Sequence, residues 1–189
     1  IDKINDFTQR HKNKKIFIFG FTFIIWKYFV KYIHDNNLKL PRLDGVLIHG
    51  GGWKKLASEE VDNIQFKKSV YDVCGVKNVI NYYGMVEQTG SIFIECSEGY
   101  LHSSIFSDII IRRNDFSVCD FNEIGLVQLI SLLPTSYPGH NIISEDLGEI
   151  IGIDDCCSEY SICKRELGTC TDSLINLEND EEEVKRDAA

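Results

Sequence analysis

Lys15-Ile-Phe-Ile-Phe-Gly20 is a run of β-branched and aromatic residues closed by glycine, the pattern of a buried strand. From Phe21 to Asp35 the period changes, with Phe21, Ile24, Ile25, Tyr28, Phe29 and Tyr32 at helical spacing and Asn36-Asn37 as the stop. Gly45-Val-Leu-Ile-His49 reads as a second buried strand, closed by Gly50-Gly51-Gly52. Ser58 is placed to cap a helix with Glu59 and Glu60 in its first turn, which runs to about Cys74 and stops at Gly75. Val76 to Tyr82 makes a third strand. Strand, helix, strand, helix, strand implies right-handed crossovers and a parallel, doubly wound α/β sheet.

After residue 90 short apolar runs follow one another with turns between them: Ser91 to Cys96, Ser107 to Ile111, Gly125 to Leu133 and Gly148 to Ile153. Little helical periodicity remains, so this half reads as antiparallel sheet. The expected organisation is an α/β portion over 1–90, a β-rich subdomain over 91–154, and a C-terminal arm over 155–189. That arm ends in the acidic stretch Asp180-Glu-Glu-Glu183, which suits a solvated, mobile tail. No internal repeat is present.

With 189 residues, 43% of them hydrophobic, the chain can bury a substantial core in one large domain or two small ones. Twenty Lys and Arg stand against 29 Asp and Glu, a net charge of -9, which argues against a nucleic-acid partner that needs phosphates neutralised. An ATP site, needing only a few local donors, is compatible with that balance. Seven cysteines at irregular spacing fit a reducing cytoplasm better than a disulfide framework. The most apolar stretch, residues 16 to 26, is followed by Lys27 and falls short of the roughly 20 residues a membrane span takes. No small-residue cleavage site follows it, so it is not read as a signal peptide. The chain begins with Ile1 and its single methionine is Met85, from which a preceding N-terminal part is expected.

Two segments fall where a doubly wound sheet binds ligands, beyond the carboxyl ends of its strands. In Leu47-Ile-His-Gly-Gly-Gly-Trp-Lys54 three glycines let the backbone approach a ligand and expose its amides, which suits phosphate or a nucleobase; a plain tight turn is the alternative. In Asn81-Tyr-Tyr-Gly-Met-Val-Glu-Gln88 an aromatic ring, a glycine turn and a carboxylate are arranged to stack on a flat ring and hold magnesium. The alternative is a surface turn with a solvated glutamate.

Tyr83-Gly-Met-Val-Glu87 resembles the YGxTE motif of the adenylate-forming enzymes, with valine in place of threonine. Gly50-Gly-Gly52 resembles that superfamily's adenine-binding turn, and Ser144-Glu-Asp-Leu-Gly148 its later TGD-type motif. Phe19-Gly-Phe-Thr-Phe23, His49 to Lys54, Tyr83 to Gln88, Leu133-Pro-Thr-Ser-Tyr-Pro-Gly-His140 and Glu145-Asp-Leu-Gly-Glu149 follow in that order. Together they are similar to the acyl-protein synthetase family of the fatty acid reductase complex in bacterial bioluminescence, with the chain matching its C-terminal half.

The resemblance implies activation of a fatty acid with ATP and magnesium to an acyl-adenylate. The acyl group then passes to an enzyme cysteine, as a thioester that a partner reductase takes up. Leu167-Gly-Thr-Cys-Thr-Asp172 resembles the family's acyl-carrying segment and makes Cys170 the candidate acyl carrier, with Lys164 and Arg165 near it in sequence. A thiolate attacks such a mixed anhydride readily. By the same resemblance Tyr83 and Gly84 flank adenine against the backbone of Gly50, Gly51 and Gly52. Glu87 holds magnesium, and Asp146 accepts from the ribose hydroxyls. His49 and Lys54 are set toward phosphate or the acyl carboxylate, or line the cleft, and Phe21, Phe23 and Trp26 belong to an acyl pocket or to plain core.

The sequence departs from the family in three ways. No Ser/Thr/Gly-rich phosphate loop with a lysine occurs, from which either a complementing N-terminal half or a loss of activity is expected. Residues 156–165 match the family's hinge poorly, and the acidic tail extends past its usual end. The alternatives are a coenzyme A ligase, which would need a C-terminal lid, and a non-catalytic interaction protein that keeps the fold of an enzyme half. Cys156, Cys157, Cys163 and Cys170 also invite a zinc reading, against which stands the lack of any CxxC pair.

Overall fold

The computed structural model describes residues 1–153 and 173–178, with only the backbone described at Lys54, Lys55, Ala57, Ile153 and 173–178. The chain divides into two compact units, Ile1–Tyr82 and Tyr83–Ala189.

In the first unit β1 (Ile16–Phe21), β2 (Gly45–Gly50) and β3 (Asn78–Tyr83) pair in parallel, with Ile18 opposite Leu47 and Leu47 opposite Val79. β1 alternates half-buried Ile16, Ile18 and Gly20 with exposed Phe17, Phe19 and Phe21, as the pleat requires. The inward set packs with Leu47 and Val79 into a core completed by Ile25, Val30, Trp53, Phe66 and Val70. Those last residues come from the connections. The helical stretch expected over 21–35 forms as α2 (Thr22–Ile25), a π-helical segment Trp26–Lys31 and α3 (Tyr32–Asp35).

The second crossover helix, α4, spans Asn63–Cys74 and not the stretch from Ser58. Asp62 is its cap, its side chain accepting from the Gln65 amide at 2.7 Å, while Ser58 lies in the 3-10 segment Lys54–Glu59. Both residue types cap well, and the extended backbone at Asp62 (φ -63°, ψ 163°) settles which one does. The helix ends at Gly75, whose φ of +81° is the left-handed geometry of a C-cap. A further helix, α1 (Asp2–Arg10), precedes the strands and buries no residue.

In the second unit β4 (Phe93–Glu95) pairs antiparallel with β5 (Leu101–His102), and β5 with β9 (Ser173–Glu178). From β9 the antiparallel order continues through β8 (Asn141–Ile153) and β7 (Gly125–Ser131) to β6 (Ser107–Arg112). The core is Phe93, Leu101, Ile109, Ile111, Val127 and Leu129, with Tyr83 and Met85 packed against it. β8 begins at Asn141, before the expected Gly148, because Asn141 to Ile143 pair with Ile130 to Gln128 on β7 despite their mixed polarity.

The first unit closes at Tyr82, earlier than the expected boundary at residue 90. Tyr83 hydrogen bonds to Asp146, and Gln88 to the carbonyls of Leu129 and Gly139, so this segment is tied to the second unit.

Candidate functional site

The glycine turn of the first unit hangs between two buried anchors. His49, 4% exposed, lies one residue before the end of β2 with its ring 4.3 Å from that of Phe66 and its Nδ1 2.9 Å from the Thr22 hydroxyl. Trp53, also buried, meets Trp26 edge-on at 5.5 Å and Phe66 at 6.2 Å. Gly50 to Gly52 bridge these anchors. A Cβ on Gly50 would lie 2.5 Å from the Tyr82 carbonyl oxygen, and Gly51, exposed with φ +76°, holds a backbone that side chains resist. The arch therefore presents main chain and no side chain of its own.

His49, expected toward phosphate or the acyl carboxylate or lining the cleft, is buried and meets Thr22 and Phe66. Lys54 opens the 3-10 segment, and its side chain lies outside the described part of the structure. Trp26 packs into the core, while Phe21 stays half exposed and stacks with Phe23 at 6.2 Å.

In the second unit the structure joins two site residues that lie far apart in sequence. Tyr83, at the end of β3, donates its hydroxyl to Asp146 Oδ2 at 2.6 Å. Asp146 sits exposed on β8 with its amide bonded to the hydroxyl of buried Ser144 at 3.1 Å. Burial, then the hydrogen bond and charge of Asp146, push the Tyr83 phenol far above the ordinary tyrosine range. Ser144 acts the other way, and Glu87 adds a further upward push. Tyr83 thus remains a neutral donor whose hydroxyl engages one carboxylate and whose charge balance senses a second.

Gly84 is exposed just beyond Tyr83, and Glu87 is exposed in the 3-10 turn Val86–Gln88. The charges of Asp146 and Glu87 both act on the Tyr83 phenol, and both carboxylates face solvent. Thr22 holds His49 in the first unit, and Ser144 and Gln88 hold Asp146 and the Glu87 turn in the second; all three lie inside quoted motifs but had no role assigned in the sequence reading. Cys170, Cys156, Cys157, Cys163, Lys164 and Arg165 lie outside the described residues. Among the described residues no group of His, Cys, Asp or Glu could hold a metal by itself, and no helix is long and apolar enough to cross a membrane.

A parallel βαβ unit followed by an antiparallel subdomain is the architecture of adenylate-forming enzymes, and solved structures of that class match the chain. A 2-hydroxyisobutyryl-CoA ligase in complex with 2-HIB-AMP and CoA has a TM-score of 0.55 at 13% identity, over 85% of this chain and 34% of that one. The O-succinylbenzoate coenzyme A synthetase MenE from Bacillus subtilis, in complex with ATP and magnesium, scores 0.51 at 14% identity, over 79% and 32%. ATP-bound MatB from Rhodopseudomonas palustris scores 0.50 at 13% identity, over 79% and 30%. The chain spans about a third of the length of these structures. At such identities the likeness is one of fold. The family follows from a separate match: the model described as acyl-protein synthetase, LuxE, covers residues 2–167, and the chain belongs to that family. No curated protein matches the chain.

Proposed function

We propose that the chain forms the nucleotide-binding part of an ATP-dependent ligase that activates a long-chain fatty acid and passes the acyl group to Cys170. The observation that carries this reading is the Tyr83–Asp146 hydrogen bond, with Glu87 in the same segment, inside the family-matched residues. In the first step a fatty acid carboxylate oxygen attacks the α-phosphorus of ATP, and the bond to pyrophosphate breaks. In the second, the Cys170 thiolate attacks the acyl carbon, AMP leaves, and a thioester remains for a reductase partner.

Tyr83 would flank the adenine, its ring fixed by the bond to Asp146. Asp146 keeps acceptor capacity for ribose hydroxyls beside its bond from Tyr83. Glu87 would hold magnesium, which neutralises phosphate charge when bound. Lys54 is kept as a candidate for phosphate.

A second reading, an incomplete half that needs a partner, is favoured by the exposed face of β1. Phe17 and Phe19 are each 61% exposed and Phe21 50%. Parallel sheets are ordinarily covered on both faces. The N-terminal half of an adenylate-forming enzyme, supplied by a longer polypeptide or a second chain, is the occupant we assign to that face. A purely interacting protein and a coenzyme A ligase are the remaining outcomes.

Intact-protein mass after incubation with ATP, magnesium and a fatty acid tests the proposal. A hydroxylamine-labile acyl adduct that disappears in Cys170→Ser is expected, alone or after adding an N-terminal half. No adduct under either condition overturns the self-acylating ligase, and acyl-coenzyme A formed without an adduct would favour the coenzyme A reading.

A further inference from the structure

The segment Leu133 to His140, Leu-Pro-Thr-Ser-Tyr-Pro-Gly-His, has no part in the chemistry so far, yet it grips the turn that carries Glu87 at several points. Gln88, fully buried, donates its side-chain amide to the carbonyl of Gly139 at 2.9 Å and to that of Leu129 at 3.4 Å. Both partners are acceptors, so the amide orientation is fixed by chemistry: the reverse would set oxygen against oxygen. The Thr89 amide donates to the Tyr137 hydroxyl at 3.1 Å. A Cβ on Gly139 would lie 3.0 Å from the Glu87 carbonyl oxygen and would collide with the Tyr137 ring, so the loop backbone lies directly on the turn. One on Gly90, where φ is +93°, would come within 3.2 Å of Leu133.

Burying an amide costs free energy that a leucine would not, and the Gln88 side-chain oxygen has no hydrogen-bond partner among the described residues. What the amide supplies in return is direction: its two donors join residue 88 to the end of β7 and to the loop. Glu87, the preceding residue, points to solvent from a three-residue 3-10 turn that has little stiffness of its own.

We infer that the 133–140 loop is a latch that sets the position of the Glu87 carboxylate, with Gln88 and Tyr137 as its positioning residues. The inference rests on the proposed role of Glu87 only for its functional meaning; the mechanical coupling stands or falls separately. It predicts that the turn and the loop open together and that the latch tunes the response to metal more than the affinity for nucleotide.

Hydrogen exchange on the full chain tests the coupling, with Gln88→Leu as the strong variant and Tyr137→Phe as the mild one, which keeps the ring and should fold. Removing one such bond should speed exchange about tenfold. The acceleration should appear in both 85–90 and 133–140, with β6 unaffected. Exchange that changes in one segment alone, or in neither, overturns the latch.

Its positioning role is read from the Glu87 carboxyl carbon resonance, which should move in Tyr137→Phe, and from the magnesium concentration that half-saturates ATP binding. That concentration should rise severalfold in both variants while affinity at saturating magnesium holds. A Glu87 resonance unmoved despite coupled exchange reduces the contact to scaffolding and overturns positioning. Glu87→Gln provides the separation: if it leaves the magnesium response unchanged, or if the chain binds no ATP, the proposed role of Glu87 falls while exchange and resonance still judge the latch.

Discussion

β1 and β6 obey the same pleat and expose opposite chemistry. In β1 the inward positions are Ile16, Ile18 and Gly20, and the outward ones are Phe17, Phe19 and Phe21. In β6 the inward positions are Ser107, Ile109 and Ile111, and the outward ones are Asp108, Ile110 and Arg112, with Arg112 bonded to Gln128 on the neighbouring strand. The second unit meets water with a mixed polar face, as antiparallel sheets commonly do. The first unit carries an aromatic row on a strand that pairs on one side with β2, the kind of surface that ordinarily marks an interface. Alternation alone identifies a strand; the residue type on the outer face tells whether that face is finished.

The largest effects should come from breaking the two cores. Phe66 and Phe93 are each essentially fully buried, and Phe66→Ala or Phe93→Ala should cost about 3–5 kcal/mol in denaturant unfolding. A loss below about 1 kcal/mol for either would mean that its cluster does not hold that unit.

Tyr83→Phe should cost less, about 1–2 kcal/mol, because one hydrogen bond to a carboxylate is lost while the ring stays. The pH dependence has a definite sign. Folding raises the Tyr83 pKa, so its stabilising contribution is complete below the unfolded value of about 10 and is lost as pH rises from there toward the folded value. Ultraviolet titration should show one tyrosine ionising above the others, and Tyr83→Phe should abolish that late step. If all tyrosines titrate together, the pairing of Tyr83 with Asp146 is absent in solution.

The smallest change in stability should come from the outer face of β1. Phe17→Thr and Phe19→Thr should alter unfolding by no more than about 0.5 kcal/mol, with a slight loss at Phe19 from its stacking on Tyr82 at 5.7 Å. Dye binding to exposed apolar surface should fall clearly in both. Equivalent dye binding by wild type and variants would show that the face is not exposed, and the contrast with β6 would disappear.

Much of the frame is legible in the sequence because it depends on local rules. β1 to β3 and the α/β-then-antiparallel order follow from period and composition, and the family follows from short motifs in a fixed order. The cap of α4 was not legible, since Ser58 and Asp62 satisfy the same rule and only the backbone path chooses between them. The start of β8 was hidden because Asn141 to Ile143 become strand only through their pairing with β7, and the polar stretch Ser144 to Asp146, where the register with β7 shifts, separates them from the apolar run that begins at Gly148. The π-helical segment Trp26–Lys31 leaves no periodic trace distinct from an α-helix over so few residues. In the site, Tyr83, Glu87 and Asp146 were named from motifs, whereas Gln88 and Tyr137 lie inside quoted motifs but gave no sign of their roles, because their partners are backbone groups.

By itself, then, the sequence determined the three strands of the first unit and their crossover helices, the antiparallel character of the second, and which family motifs are present and in what order. Those properties depend on a residue and its near neighbours. Tertiary structure alone decided that Tyr83 and Asp146 share a hydrogen bond across 63 residues, that His49 turns into the core, and that a buried glutamine holds the Glu87 turn. Each of these is a pairing between distant residues. It is selected by burial, which makes an unpaired polar group costly and leaves a given donor few acceptors within reach.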